Sequence, residues 1–197
     1  MVKHKTAAAL KSVPLQEFNE GYDAALHWFF SFPQKEMSLN DLVSELNISK
    51  TTAHRVVESL VKEGFLRKEV LGRTWRITCE QAHVYNFSRK ILFNLRMVYE
   101  SDILTQINQI IPSSRAVVLF GSYRKGDDNE KSDIDIAVEV LDGEELRIVP
   151  LGTFEKFGYR TKVLVNLHIF SRNNIDLNLF ANIANGIVMQ GFLEVRP

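Results

Sequence analysis

The stretch that decides the fold of the C-terminal half is Ala116-Val-Val-Leu-Phe-Gly-Ser122, followed after a polar loop by Ser132-Asp-Ile-Asp-Ile-Ala-Val138. Five consecutive apolar residues predict a buried central strand that ends at the Gly-Ser pair. The second segment predicts another strand, on which Asp133 and Asp135 share one face because side chains alternate along a strand. We therefore expect two carboxylates a few ångströms apart on one face of this strand.

Two neighbouring carboxylates repel each other unless a cation lies between them. Mg²⁺ prefers hard oxygen ligands and completes its shell with water and substrate phosphates, so Asp133 and Asp135 indicate a site for Mg²⁺ or Mn²⁺. Gly121 permits close approach of the backbone, and the Ser122 hydroxyl can hold a phosphate. Together these residues predict a phosphate cradle that faces a metal-binding pair.

Gly121-Ser122 and Asp133-Ile-Asp135, placed between two β-type runs, resemble the signature of the DNA polymerase β-like nucleotidyltransferase superfamily, most closely its minimal members. The resemblance covers about Ile111 to the C-terminus. It implies transfer of a nucleoside monophosphate from an NTP to a hydroxyl or other acceptor. It also implies that Asp133 and Asp135 are the catalytic metal ligands and that Gly121 and Ser122 lie at the phosphates. Lys125 or Arg124 is placed by position to help neutralise the triphosphate.

Active members of that superfamily carry a third carboxylate on a later strand, and this chain departs from that pattern. The candidate strand, residues 162–170, contains no Asp or Glu; Asn166, or failing that His168, occupies the expected place. Asn cannot accept a proton, whereas His can act as a base at neutral pH. The function therefore remains open between a nucleotidyltransferase and a transcription regulator with a non-catalytic nucleotide sensor or scaffold. By family analogy alone, modification of a toxin–antitoxin partner is a third interpretation.

The N-terminal half carries a different pattern. Apolar residues at helical spacing from Phe18 to Phe30 predict a first helix, and residues 39–46 predict a second. A third helix, capped by Ser49 and ended by Gly64, presents the stripe Ala53, Val56, Val57, Leu60 and Val61. Two strands around Leu71-Gly72 follow. This order is that of a winged helix-turn-helix, and the stretch from Leu42 to Leu66 resembles the MarR/TrmB-like regulators.

The outer face of the third helix predicts a surface for double-stranded DNA, because the N-terminal end of a recognition helix enters the major groove. The residues on that face are Lys50, Thr51, Thr52, His54 and Arg55. Lys68, Arg73 and Arg76 in the hairpin offer positive charge to phosphates. The alternative is an ordinary solvated face or a protein-interaction module.

These patterns predict an α+β chain with a winged helix-turn-helix at 15–79, a linker helix or helices at 80–111 and a nucleotidyltransferase-like domain at 112–197. The last domain is expected to end in a helix around 177–183 and an edge strand within 187–193. An apolar stripe in the linker either packs within the chain or forms a homodimer interface: Ile91, Leu92, Leu95 and Val98.

The composition of the chain restricts the partners that it can bind and the cellular compartment in which we expect it. The chain has 24 basic and 24 acidic residues, so any DNA-binding face must be local. The one cysteine, Cys79, cannot form an intramolecular disulfide and is expected to be inert, and no apolar stretch is long enough to span a membrane. We therefore expect a cytoplasmic protein. Six further acids of the second half are expected to be solvated loop charges: Asp127, Asp128, Glu130, Asp142, Glu144 and Glu145.

Overall fold

The computed structural model describes residues 8–10, 21–141, 143 and 145–195. The described residues form two compact units, one ending at Phe93 and one that joins strand β1 (Ala8–Leu10) to the residues from Asn94 onward. The α+β class is confirmed. The predicted helical residue Phe18 and the loop acids Asp142 and Glu144 lie outside the described residues.

The first unit contains three helices and a hairpin: α1 (Tyr22–Ser31), α2 (Leu39–Leu46), α3 (Lys50–Lys62), β2 (Leu66–Leu71) and β3 (Thr74–Cys79). Ser38 and Asp41 form a reciprocal capping box at the start of α2. Asn47 adopts a left-handed conformation (φ 52°) that ends α2, and Ser49 then caps α3 by accepting from the Thr52 amide. This tight turn lets the α3 stripe pack inward.

The Cys79 side chain at the end of β3 is buried within the first unit. Burial raises the pKa of the Cys79 thiol to about 11, mainly because the thiolate would lose its hydration. A thiol in this environment is protonated at neutral pH. The expectation of an inert cysteine is consistent with this placement.

We expect Cys79 in the folded protein to react with iodoacetamide at pH 8 about a hundredfold more slowly than a cysteine of ordinary pKa, because a pKa of about 11 instead of 9.0 leaves correspondingly less thiolate. The rate should rise about tenfold with each pH unit until the pH approaches the pKa. Mass spectrometry of the alkylated protein measures this rate, and the same reaction in denaturant is the control. Equal rates in the folded and denatured protein would contradict the prediction.

The second unit begins within α4 (Arg89–Glu100) and continues with α5 (Ile103–Ile110). The remaining elements are β4 (Ala116–Phe120), α6 (Gly121–Lys125), β5 (Ile134–Glu139), β6 (Arg147–Phe157), β7 (Arg160–Phe170), α7 (Leu177–Ala184) and β8 (Ile187–Gly191). No helix among the described residues is long and apolar enough to cross a membrane. The final helix and strand lie where they are predicted.

These strands form one mixed sheet in the order β1-β6-β7-β5-β4-β8. β4 runs antiparallel to β5, and β5 runs parallel to β7, so residues far apart in sequence meet at one end of the sheet. β6 and β7 form a long antiparallel hairpin with an irregularity between Pro150 and Gly152. β8 is an edge strand, as expected, whereas β1 and β6 have no counterpart in the sequence predictions.

The apolar stripe of α4 packs partly within the chain. Val98 is buried, Ile91 and Leu95 are half-buried, and Leu92 is 68% exposed. This burial supports the packing interpretation for part of the stripe. A homodimer stays a prediction.

The loop between α6 and β5 requires a correction. Asp128 is not a solvated charge, because it is only 3% exposed. The Asn94 side-chain amide donates to Asp128 Oδ1 at 2.7 Å and to the Tyr123 carbonyl at 3.0 Å. Asp127 is exposed as predicted, and Glu130 is half-buried. A hydrogen bond from α4, more than thirty residues away, therefore fixes part of this loop.

Candidate functional site

The centre of the site is the point where β4 ends against β5. Gly121 has a φ of 73°, in the left-handed region that favours glycine. A Cβ atom added at Gly121 would lie 3.0 Å from Asp135 Oδ2. The backbone that leads into Ser122 therefore runs directly against the Asp135 carboxylate, and a side chain at position 121 would enter that contact.

The two predicted carboxylates lie on the same side of β5. Asp133 immediately precedes the strand and is exposed, and the Asp135 side chain is 29% exposed. Ile134 and Ile136 are fully buried, since they point to the opposite face. Burial of the isoleucines holds both acids at the surface of the sheet.

Strand β7 brings Asn166 and His168 to this pair. These two residues are the third-position residues, because one of them is expected where a third carboxylate would lie. In the parallel register Asn166 lies opposite Asp135, and its side-chain amide donates to Asp133 Oδ2 at 3.3 Å. His168 Nε2 lies 3.1 Å from Asp135 Oδ1. Each carboxylate thus has one polar neighbour from β7, and neither neighbour is an acid.

The His168 ring is held on its other side by an aromatic contact. The ring of Phe120 packs edge-on against it, with ring centroids 4.9 Å apart. His168 Nδ1 is buried and has no hydrogen-bond partner among the described residues. Nε2 is therefore the ring nitrogen that faces the carboxylates, and at this distance an Nε2–H group donates to Asp135 Oδ1.

The donor set suits a divalent metal that is shared with a phosphate-containing ligand. Mg²⁺ is commonly bound through one or two carboxylates together with substrate phosphates, and Asp133 and Asp135 supply the two carboxylates. No group of three or more His, Cys, Asp or Glu side chains is arranged around a metal position in the described part of the chain. The close approach of Gly121 places the predicted phosphate cradle beside the same pair.

The cations of α6 are not brought against the carboxylates. Lys125 is exposed at the end of the helix and makes no hydrogen bond or ion pair with another described residue. Arg124 is half-buried, and its Nε atom is buried without a hydrogen-bond partner among the residues described. A role of Lys125 at a triphosphate stays a prediction.

Sequence reasoning missed a buried cation beside the site, Arg160 at the start of β7. Arg160 is 5% exposed and donates to Tyr123 and to backbone carbonyls of the loop before Asp133. No local signal in the sequence identifies it, because its partners are about thirty residues away.

The predicted DNA-contacting face in the first unit is mostly open. Lys50, Thr51, His54 and Arg55 are exposed. Thr52 differs, because its hydroxyl lies 2.9 Å from Ser49 Oγ, and a Cβ added at Gly21 would lie 2.7 Å from the Thr52 methyl group. Thr52 therefore packs at the base of α3.

The hairpin carries less free positive charge than its composition suggests. Lys68 pairs with Glu58 at 2.5 Å and lies over the Trp75 ring, and Trp75 also contacts the His54 ring. Arg76 pairs with Glu36 at 2.8 Å and with Glu69 at 3.4 Å. By contrast, Arg73 is exposed at the hairpin turn without a carboxylate partner among the described residues.

Two protein families match this chain, each over part of its length. Residues 101–177 match the family model of the nucleotidyltransferase domain, a range that includes the Gly-Ser pair, both aspartates and both third-position residues. Residues 32–70 match the IclR helix-turn-helix domain, a range that includes α2 and α3. The resemblance to MarR/TrmB-like regulators stays a prediction. No curated protein is similar enough to the chain to be matched.

Proposed function

We propose that this chain, in which a nucleotidyltransferase domain follows a DNA-binding helix-turn-helix domain, binds an NTP with Mg²⁺ or Mn²⁺ and transfers the nucleoside monophosphate to an acceptor. One observation carries the proposal. A Cβ atom added at Gly121 would lie 3.0 Å from Asp135 Oδ2, which supports a phosphate cradle at Gly121-Ser122 next to the two proposed metal ligands.

Each residue at the site has a distinct task in this reaction. Asp133 and Asp135 would hold the metal, and the Ser122 hydroxyl would donate a hydrogen bond to a phosphate oxygen. The bound metal supplies positive charge that offsets the charge of the triphosphate. The acceptor oxygen forms a bond to the α-phosphorus while the bond from that phosphorus to pyrophosphate breaks. Of the two side chains Asn166 and His168, only the His168 imidazole can accept a proton, and Nε2 can take the proton of the acceptor only when it does not donate to Asp135.

A second function, a DNA-binding regulator that senses a nucleotide without turnover, is favoured by the third position itself. Asn166 lies opposite Asp135, at the position where the resemblance to the nucleotidyltransferase superfamily leads us to expect a carboxylate, and it donates a hydrogen bond to Asp133. An amide in this place can support metal and nucleotide binding without serving as a base. Binding with no transfer is the expected behaviour of such a protein.

One experiment separates these functions. The purified chain is incubated with each labelled NTP and Mg²⁺ or Mn²⁺, with nucleic acid and cell extract as acceptors, and binding of the same NTP is measured in parallel. Transfer that depends on Asp133 and Asp135 supports the enzyme. Metal-dependent binding without transfer supports the sensor, and the absence of both overturns both proposals.

For the helix-turn-helix domain we propose that Lys50 and Arg55 contact double-stranded DNA. The Lys50→Ala/Arg55→Ala variant should bind a duplex of random sequence more weakly at low salt. The slope of log K against log [salt] should fall by about 1 for each phosphate that the variant no longer neutralises. Fluorescence anisotropy over a salt series measures both quantities. Lys62→Ala, which removes an exposed cation from the other end of α3, should leave them unchanged. An unchanged affinity in the double variant would remove α3 from the DNA interface.

A further inference from the structure

Arg160 is a buried cation whose hydrogen bonds all go to neutral acceptors. Its Nη2 donates to the carbonyls of Glu130 at 3.1 Å and Ser132 at 2.5 Å, and its Nη1 donates to the Tyr123 hydroxyl. No carboxylate is within ion-pair distance of it among the residues described. Burial of a guanidinium is costly unless its N–H groups are satisfied. The two Nη groups of Arg160 donate to Tyr123 and to the backbone of one loop, whereas Nε is buried without a hydrogen-bond partner among the described residues.

Arg160 binds that loop at Ser132, the residue before Asp133. The Ser132 carbonyl and the Asp133 amide belong to the same planar peptide unit. A hydrogen bond that fixes the Ser132 oxygen therefore also fixes the plane from which the Asp133 side chain leaves the backbone. Asp133 lies outside β5, so the ladder hydrogen bonds of the sheet do not hold it in the same way.

The rest of the loop is already tied down locally. The Ser132 amide donates to the Asn129 carbonyl at 3.1 Å, and the Asn129 amide donates to Ser132 Oγ at 3.0 Å. The Asn94 amide holds Asp128. These bonds shape the turn, whereas Arg160 connects the turn to β7, the strand that carries Asn166 and His168. Arg160 therefore connects the loop before Asp133 to the strand that carries Asn166 and His168.

We propose that Arg160 is a positioning residue that holds Asp133 beside Asp135 in the geometry needed to bind a divalent metal. The proposal rests on the proposed function, because it assigns Arg160 to the same metal site. An arginine suits this role better than a lysine, since its planar fork reaches two carbonyls and a phenol together, whereas an ammonium is a compact point charge.

The test is the affinity of the whole chain for Mn²⁺, measured by electron paramagnetic resonance without any nucleotide. Arg160→Lys keeps the positive charge and removes the fork, and it should weaken Mn²⁺ binding by about 10- to 100-fold, as replacement of residues that orient metal ligands commonly does. Arg172→Lys is the matched control. Arg172 also donates through its fork, to Glu139 and Glu194. Because Glu139 ends β5, away from the aspartates, this control should keep the affinity of the original chain.

A second readout follows the loop itself. In the metal-free protein, amide hydrogen exchange across residues 130–133 should be faster in Arg160→Lys than in Arg172→Lys.

If Arg160→Lys does not fold, Tyr123→Phe removes one acceptor of the guanidinium and should weaken Mn²⁺ binding by a smaller factor. Unchanged Mn²⁺ affinity in whichever variant folds overturns the role of Arg160 and leaves the site intact. Failure of the unsubstituted chain to bind Mn²⁺ even after an NTP is added overturns the proposed function and this inference together.

Discussion

Replacement of Asp133 and Asp135 by alanine should reduce nucleotidyl transfer from a labelled NTP by about a thousandfold or more. In the proposed function the two carboxylates are the metal ligands, and a metal's stabilisation of transition-state charge is worth several kcal/mol. Each 1.4 kcal/mol changes a rate about tenfold, so several kcal/mol corresponds to roughly this loss. Initial rates at saturating NTP and Mg²⁺, for both proteins, give the ratio.

The matched control is Asp127→Ala, because Asp127 is an exposed carboxylate in the loop of the same domain. It changes the charge near the site without removing a proposed ligand, and its transfer rate should stay close to that of the original chain. Transfer that survives in the Asp133→Ala/Asp135→Ala protein would place the chemistry elsewhere. Equal losses in both variants would indicate a general charge effect in place of metal ligation.

The Asn166→Asp variant should increase nucleotidyl transfer by about a hundredfold, because a positioned general base typically contributes at least that much. The substitution keeps the shape of the side chain and places a proton acceptor opposite Asp135. It also exchanges a hydrogen-bond donor to Asp133 for a third negative charge. The same transfer assay measures the gain, with the original chain as reference.

The added charge gives an independent measurement. Three neighbouring carboxylates repel one another without a cation, so metal-free Asn166→Asp protein should melt at a lower temperature than the original chain. Mn²⁺ should then raise its melting temperature by more than it raises that of the original chain, since the ligand stabilises the state that binds it better. Asn178→Asp, on the exposed face of α7, is the control for charge alone. If Asn166→Asp gains neither activity nor metal-dependent stability, β7 does not supply the third position.

Local patterns predict the parts of the site that depend on local geometry. The alternation of a strand is enough to pair Asp133 with Asp135, and a glycine after five apolar residues is enough to place the end of the strand. The helix α6 that begins at this glycine is not predicted, because a polar loop is expected there. The α3 stripe and its caps at Ser49 and Gly64 likewise depend on residues a few positions apart. These features need no knowledge of distant segments, which is why they can be derived from the chain itself.

The features that sequence reasoning missed depend on pairing between distant segments. β6 contains Pro150 and an irregular register, so polar and apolar residues do not alternate cleanly along it. Its extended conformation depends on hydrogen bonds to β7, which the sequence of β6 does not reveal. Asp128 is buried against Asn94 on α4. Arg160 is buried against the loop that immediately precedes β5. In the sequence, Lys68 and Arg76 have the positions of unpaired cations on a wing. In the structure they form ion pairs with Glu58 and Glu36.

The position of Asn166 opposite Asp135 has a consequence for the evolution of this site. Every asparagine codon differs from an aspartate codon by one base, and the two side chains have the same shape. A chain with this sheet can therefore pass between a two-carboxylate and a three-carboxylate site by one point mutation, with no repacking of the strands around it. Descendants of a common ancestor could differ in chemistry while remaining nearly identical in sequence and fold.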